Sequence, residues 1–117
     1  MFDLIVCASH RDWLETAFAQ RGLTHLLLPL ERDPLLEVES EHGWMGYLRA
    51  SAAEVETLRD IGLLEILAIV PFTGTGTADA LYHQLFADAH ARQRYERLYP
   101  PSMREGGGRW FGAMRGA

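Results

Sequence analysis

Apolar and polar residues follow one pattern twice along the first 72 positions. Leu4–Ala8 is a short apolar run containing Ile5 and Val6, and it reads as a buried strand. The run stops at Ser9, which with Asp12 three residues on has the form of a helix N-cap. Trp13, Leu14, Ala17 and Phe18 then fall on one helical face that Gly22 would end. Thr24–Leu30 is the next strand candidate, and Pro34 forces the residues around Glu31–Asp33 into a turn. Residues Leu35–Gly43 would extend the second strand and turn it, at His42-Gly43, into a third. The second pass starts there: Trp44–Ala50 is strand-like, Ser51 and Glu54 form a capping box, and Val55, Leu58 and Ile61 have helical spacing. Gly62 would stop that helix, and Leu63–Phe72 is a strong strand.

Two β-α-β units in tandem predict an α+β protein on the ferredoxin-like β-α-β-β-α-β plan, with two helices over one face of a four-stranded antiparallel sheet. An open parallel sheet is the alternative, since short β-α-β units build those folds too. With the two β-α-β units packed on the ferredoxin-like plan the core is complete at Phe72, so the residues beyond it read as a helical appendage. Residues Ala78–Ala87 carry Leu81, Tyr82, Leu85 and Phe86 on one face, and Asp88 would cap a second helix through Tyr95, Leu98 and Tyr99. Pro100-Pro101 stops it. Residues 1–99 are expected to form a single domain and 100–117 a flexible Pro/Gly-rich tail in which Gly106–Gly108 precede Trp110 and Phe111.

Composition narrows the class. With 48% hydrophobic and 23% charged residues, the 117-residue chain has the make-up of an ordinary soluble globular domain. Its apolar runs are too short to cross a bilayer and nothing at Met1–Asp3 reads as a signal peptide, so a cytoplasmic location and no membrane partner are expected. All eleven basic residues are arginine, and lysine and asparagine are both absent. That bias matches a G+C-rich genome and is not by itself a sign of phosphate recognition. Residues 1–66 hold twelve acids against five arginines, whereas residues 67–117 hold four against six. The split suits a protein that meets partners at two surfaces, while the net charge of −5 argues against nucleic acid as the main ligand.

The candidate chemistry is thin. The Gly-rich stretch Pro71–Asp79 leads from a strand to a helix, as phosphate loops do. It lacks the lysine of a P-loop and the third glycine of a dinucleotide fingerprint, and Asp79 would repel a phosphate; Thr77 or Asp79 is left as an N-cap. Cys7 and His10 lie at a strand-to-helix junction, where a thiol can be activated, yet the apolar neighbours of Cys7 point to a buried structural thiol. Asp79, His83 and His90 would share one side of an unbroken helix, but a break near Asp88 would scatter them, so no metal is expected. No cofactor is expected either. Glu37, Glu39 and Glu41 would line one face of a strand as an acidic ridge suited to a basic patch on a partner.

The segments GYLRAS (46–51), LFADAHARQRYERLYPP (85–101) and RWFGAMRGA (109–117) resemble small proteins of unassigned role from tailed phages and prophages. That resemblance implies an accessory or assembly protein that works by binding other proteins. The function expected is thus a non-enzymatic protein–protein interaction module, with a protein partner or a homo-oligomer contacted through Tyr95, Leu98, Tyr99, Trp110 and Phe111. Aromatic anchors beside arginines are the residue types that dominate interface energetics. The alternative is a small enzyme or ligand-binding domain that uses the sheet face with Cys7, His10, His42 or Arg49.

Overall fold

The computed structural model describes residues 1–27, 37–74 and 76–98. Within them β1 (Phe2–Ala8) leads to α1 (Arg11–Gln20) and a short 3₁₀ turn (Thr24–Leu27). Beyond these come β2 (Glu37–Ser40), β3 (Gly43–Ala50), α2 (Ala52–Arg59), β4 (Glu65–Pro71), α3 (Thr77–Ala87) and α4 (Ala89–Leu98). The four strands form one sheet in the order β2-β3-β1-β4, and every neighbouring pair is antiparallel. The mixed helix-and-sheet class is thus as the sequence predicts, and the parallel-sheet alternative is corrected. The described part of the expected Thr24–Leu30 strand is also corrected, since its first four residues are a 3₁₀ turn. Residues 28–30 lie outside the described residues, as do Tyr99 and the whole of the expected tail, 100–117.

Helix ends follow from local chemistry. The capping box of α2 forms as expected: Glu54 N–H donates to Ser51 Oγ at 3.2 Å and Ser51 N–H to Glu54 Oε1 at 2.8 Å. For α1 the cap is His10 rather than Ser9, its Nδ1 accepting from Trp13 N–H at 3.2 Å. Gly22 ends α1 in a left-handed conformation, φ 71°, with Leu23 N–H bonded to Phe18 O and Gly22 N–H to Ala19 O, a Schellman motif. At the end of α2 the left-handed residue is Leu63, φ 69°, and not Gly62. For α3 the cap is Gly76, φ 89°; Thr77 is already helical, and its hydroxyl donates to Gly74 O and accepts from Thr73 N–H.

The core has two halves, one on each face of the sheet. Leu4, Val6 and Ala8 of β1 point with Trp44 and Leu48 toward Leu14, Ala17 and Phe18 of α1 and Val55 and Leu58 of α2, so both helices cover the same face. The intervening residues Ile5 and Cys7, with Met45, point the other way. They meet Leu81, Tyr82 and Leu85 of α3 and Ala91, Tyr95 and Leu98 of α4. A register shift between Ile5 and Val6 leaves Leu67 as the extra residue of β4, and both Leu67 and Ala68 are buried in this second half. The C-terminal helices are therefore the third layer of the domain. The expectation of a core complete at Phe72 with an appendage beyond it is corrected, because a β1 that is apolar at nearly every position has two faces to bury.

Candidate functional site

Helix α4 lines an open groove at the surface. Asp88 leaves the helical region (φ −97°, ψ 120°), ends α3 and caps α4, its Oδ2 accepting from Ala91 N–H at 3.3 Å. From there the helix alternates between burial and solvent: Ala91, Tyr95 and Leu98 face the core while His90, Gln93, Arg94 and Arg97 line an open groove of about 260 Å³. Their spacing of three, four and seven residues puts those four side chains on one helical face. Leu98 presses against the β2–β3 turn so closely that a Cβ on Gly43 would lie 3.1 Å from its Cδ2 and 2.9 Å from Ala8 O. That position, at φ 137°, is open only to glycine.

Glu65, the first residue of β4, anchors the groove. His90 Nε2 lies 2.6 Å from Glu65 Oε2. Arg94 Nε lies 3.0 Å from Glu65 Oε1 with its N–H turned off the line to the oxygen, so the contact is an ion pair more than a hydrogen bond. Cys7 Sγ donates to the same Oε1 at 3.8 Å. Burial, reinforced by the Glu65 charge and only partly offset by Arg94, pushes the Cys7 thiol up to about 12, so it is a buried thiol and not a nucleophile at neutral pH. One carboxylate thus faces two basic side chains of the groove, and Arg97 meets no carboxylate among the described residues.

A second polar cluster sits at the opposite end of the sheet. Asp3 is fully buried and accepts from Arg49 Nε at 2.8 Å and from the Tyr47 hydroxyl, while the Arg49 guanidinium stacks 3.7 Å above the Phe72 ring. Burial and the Asp3 carboxylate push the Tyr47 phenol well above its ordinary range, and the hydrogen bond to Asp3 holds Arg49 firmly protonated. These groups neutralise one another across β1 and β3, in register at Asp3↔Arg49. Asp3 and Tyr47 carry no signal of this role in the sequence and are found through that register alone.

The remaining candidates disperse. Cys7 lies four residues along β1 from Asp3, about 13 Å at strand rise, so Cys7 and Arg49 do not share a site. His10 caps α1, and His42 sits in the β2–β3 turn beside Glu41. Asp79 and His83 are on α3 while His90 is on α4, and among the described residues no group of three His, Cys, Asp or Glu could hold a metal. Glu37 and Glu39 are held within the chain: Glu37 accepts from Arg11 Nη1 and from Trp44 Nε1 (2.8 Å), and Glu39 from Arg11 N–H at 2.9 Å. Of the predicted contact residues, Tyr95 and Leu98 are buried, at 2% and 4% exposure, and support the groove from below. Tyr99, Trp110 and Phe111 lie outside the described residues. The groove itself is not among the sequence expectations, although the spacing of 90, 94 and 97 is the signal of a basic helical stripe. No described helix is long and apolar enough to cross a membrane. No protein-family model, curated protein or solved structure matches the chain.

Proposed function

We propose that the protein is a non-enzymatic protein–protein interaction module that docks an acidic protein surface onto the α4 groove. The observation that carries this reading is a basic face, His90, Arg94 and Arg97 around an open groove, on a chain whose net charge is −5. A cationic patch against that background steers an anionic protein to one orientation. The strand order β2-β3-β1-β4 with antiparallel neighbours supports a ferredoxin-like core as the scaffold. In that plan one sheet face is commonly the working surface; here α3 and α4 cover it, which favours a contact made by the outside of α4 over a site on the strands. Tyr99, Trp110 and Phe111, which come after α4 in the chain, are proposed to add apolar contacts to the same partner. The likeness of 46–51, 85–101 and 109–117 to tailed-phage and prophage proteins supports a cytoplasmic accessory or assembly role.

The test is affinity purification of the wild-type chain and of Gln93→Glu/Arg97→Glu, followed by quantitative mass spectrometry. Both substituted side chains are on the outer face of α4, so circular dichroism should match. A partner recovered roughly tenfold less with the variant supports the reading, on the scale by which charge reversal weakens electrostatic interfaces. Equal recovery with both chains overturns it.

A further inference from the structure

An acidic cluster stands at the β2 edge beside the start of α1, apart from the α4 groove. Glu37 and Glu39 pair in register with Gly46 and Trp44, and Trp44 points to the α1 layer, so these carboxylates flank the N-terminus of α1. Around them stand Asp12, Glu15 and Glu41, making five carboxylates served by one guanidinium among the described residues. Arg11 donates through Nε to Glu15 at 2.9 Å and through Nη1 to Glu37, while Glu39 takes only its backbone N–H. Glu41, whose side chain is 85% exposed, has among the described residues only His42 at 3.4 Å, and Asp12 is exposed. The α4 groove, with Arg97 unmatched among the described residues, occupies the other layer.

We infer that the acidic partner of the α4 groove is a second copy of this chain, docked head to tail, with the Asp12–Glu41 edge of one copy seated on His90, Arg94 and Arg97 of the next. The inference rests on the reading of the groove as a site for an acidic protein surface, and it adds the identity of that surface. Each patch carries what the other lacks, and like charges would oppose either patch meeting itself. Because the patches stand apart, the contact joins different surfaces and leaves one of each free. That makes it heterologous: it propagates until the rotation between copies closes a ring, or continues as a filament. The groove is small and its charges partly solvated, so the association is weak, dependent on concentration and sensitive to salt.

Sedimentation velocity of the full chain tests it, using the wild type, Gln93→Glu/Arg97→Glu, Asp12→Lys/Glu41→Lys, and an equimolar mixture of the two variants. The expected result is self-association of the wild type that is lost at about 1 M salt, where the Debye length is about 3 Å. Each variant alone should associate roughly tenfold more weakly or not at all, and the mixture should recover association, since an intact groove then meets an intact acidic edge. Asp12→Asn/Glu41→Gln replaces the lysine variant if that chain fails to fold, with the same expected loss. Association by either variant equal to that of the wild type overturns the inference. A wild type that stays monomeric also overturns it, and a parallel titration with a glutamate-rich peptide then separates the two claims. If the peptide binds the wild type and not Gln93→Glu/Arg97→Glu, the groove reading stands without self-association. If it binds neither, both fail.

Discussion

Replacing Tyr95 with alanine tests whether α4 belongs to the fold. Tyr95 is 2% exposed among Ile5, Cys7, Met45 and Leu98, and its ring meets that of Phe86 edge-on, with centroids 5.2 Å apart and planes at 83°. Truncating a buried aromatic to alanine costs about 3–5 kcal/mol, within which the edge-to-face pair accounts for about 0.5–1.5 kcal/mol. A single domain of this size holds about 5–15 kcal/mol in all, so about a fifth of the stability or more should go. In urea, at a slope of about 1.5 kcal/mol/M, the midpoint should fall by about 2–3 M with the slope unchanged. Far-UV circular dichroism and tryptophan fluorescence, to which Trp44 contributes from the other half of the core, should report the same shift if the two halves unfold together. Gln93→Ala, on the exposed face of the same helix, should stay within about 0.5 kcal/mol of the wild type. A Tyr95→Ala loss below about 1 kcal/mol would refute the reasoning, because it would mean that α4 is docked too loosely to be a layer of the core.

Four further outcomes are expected. Ser51→Ala removes the hydroxyl that caps Glu54 N–H and should cost about 1 kcal/mol in the same denaturation assay. The Ser51 backbone N–H, and secondarily His25, hold the Glu54 carboxyl below the ordinary range, so its contribution is present above the unfolded value of about 4.3 and is lost as pH falls through the folded one. The stability gap between wild type and Glu54→Gln should therefore close in acid, and a gap that ignores pH would refute the assignment. Cys7, raised to about 12 by burial, should resist a thiol reagent in the native protein and react fast in denaturant. Rapid native labelling near neutral pH would contradict its burial. Leu63→Gly relieves a left-handed leucine, worth about 1–2 kcal/mol, and returns about 0.5–1 kcal/mol as chain entropy. The midpoint should rise by the difference, and a fall would show that the exposed side chain makes a contact the fold needs.

The β1–α1 and β3–α2 passages are legible because each is bounded by chemistry that acts over a few residues, whereas the strand expected at Thr24 has no such boundary and is a 3₁₀ turn. The Ser51–Glu54 capping box and the Gly22 stop are local, and both appear where the spacing puts them. Features that local chemistry does not fix come out differently. Ser9 and His10 can both accept from the first turn of α1, and the choice of His10 depends on how the chain leaves β1. Gly62 and Leu63 compete for the left-handed position, and the pull of Ile61 and Leu64 toward the core decides it, leaving Leu63 outside and strained. The third layer has a signal of its own in the first strand. A sheet covered on one face alternates apolar and polar residues, as Glu37-Val38-Glu39-Ser40 does on the edge. Leu4–Ala8 does not alternate at all, and an unbroken apolar run in a central strand asks for cover on both sides.

That third layer changes how any effect of the C-terminal helices on function has to be interpreted. Tyr95 and Leu98 are three residues apart and lie with Arg94 and Arg97 on successive turns of one short helix, yet they answer to different free energies. Substituting the first pair empties the core beneath Ile5, Cys7 and Met45, so binding falls because less protein is folded. Substituting Arg97 leaves the core intact, so binding falls only if the guanidinium meets a partner. The coupling runs one way, because the groove exists only while Leu98 is seated against Gly43 and His90 is held by Glu65. Loss of binding in a core variant is thus no evidence for a contact residue, whereas loss in an exposed variant at unchanged stability is. Gly43→Ala separates the two: it alters no exposed side chain of α4, but its Cβ collides with Ala8 O and Leu98, so it should release the end of α4 from the sheet. If the groove is the working surface, this variant should lose binding in proportion to its folded fraction plus a further loss from the displaced helix. If the groove is idle, the folded fraction alone should account for the whole effect.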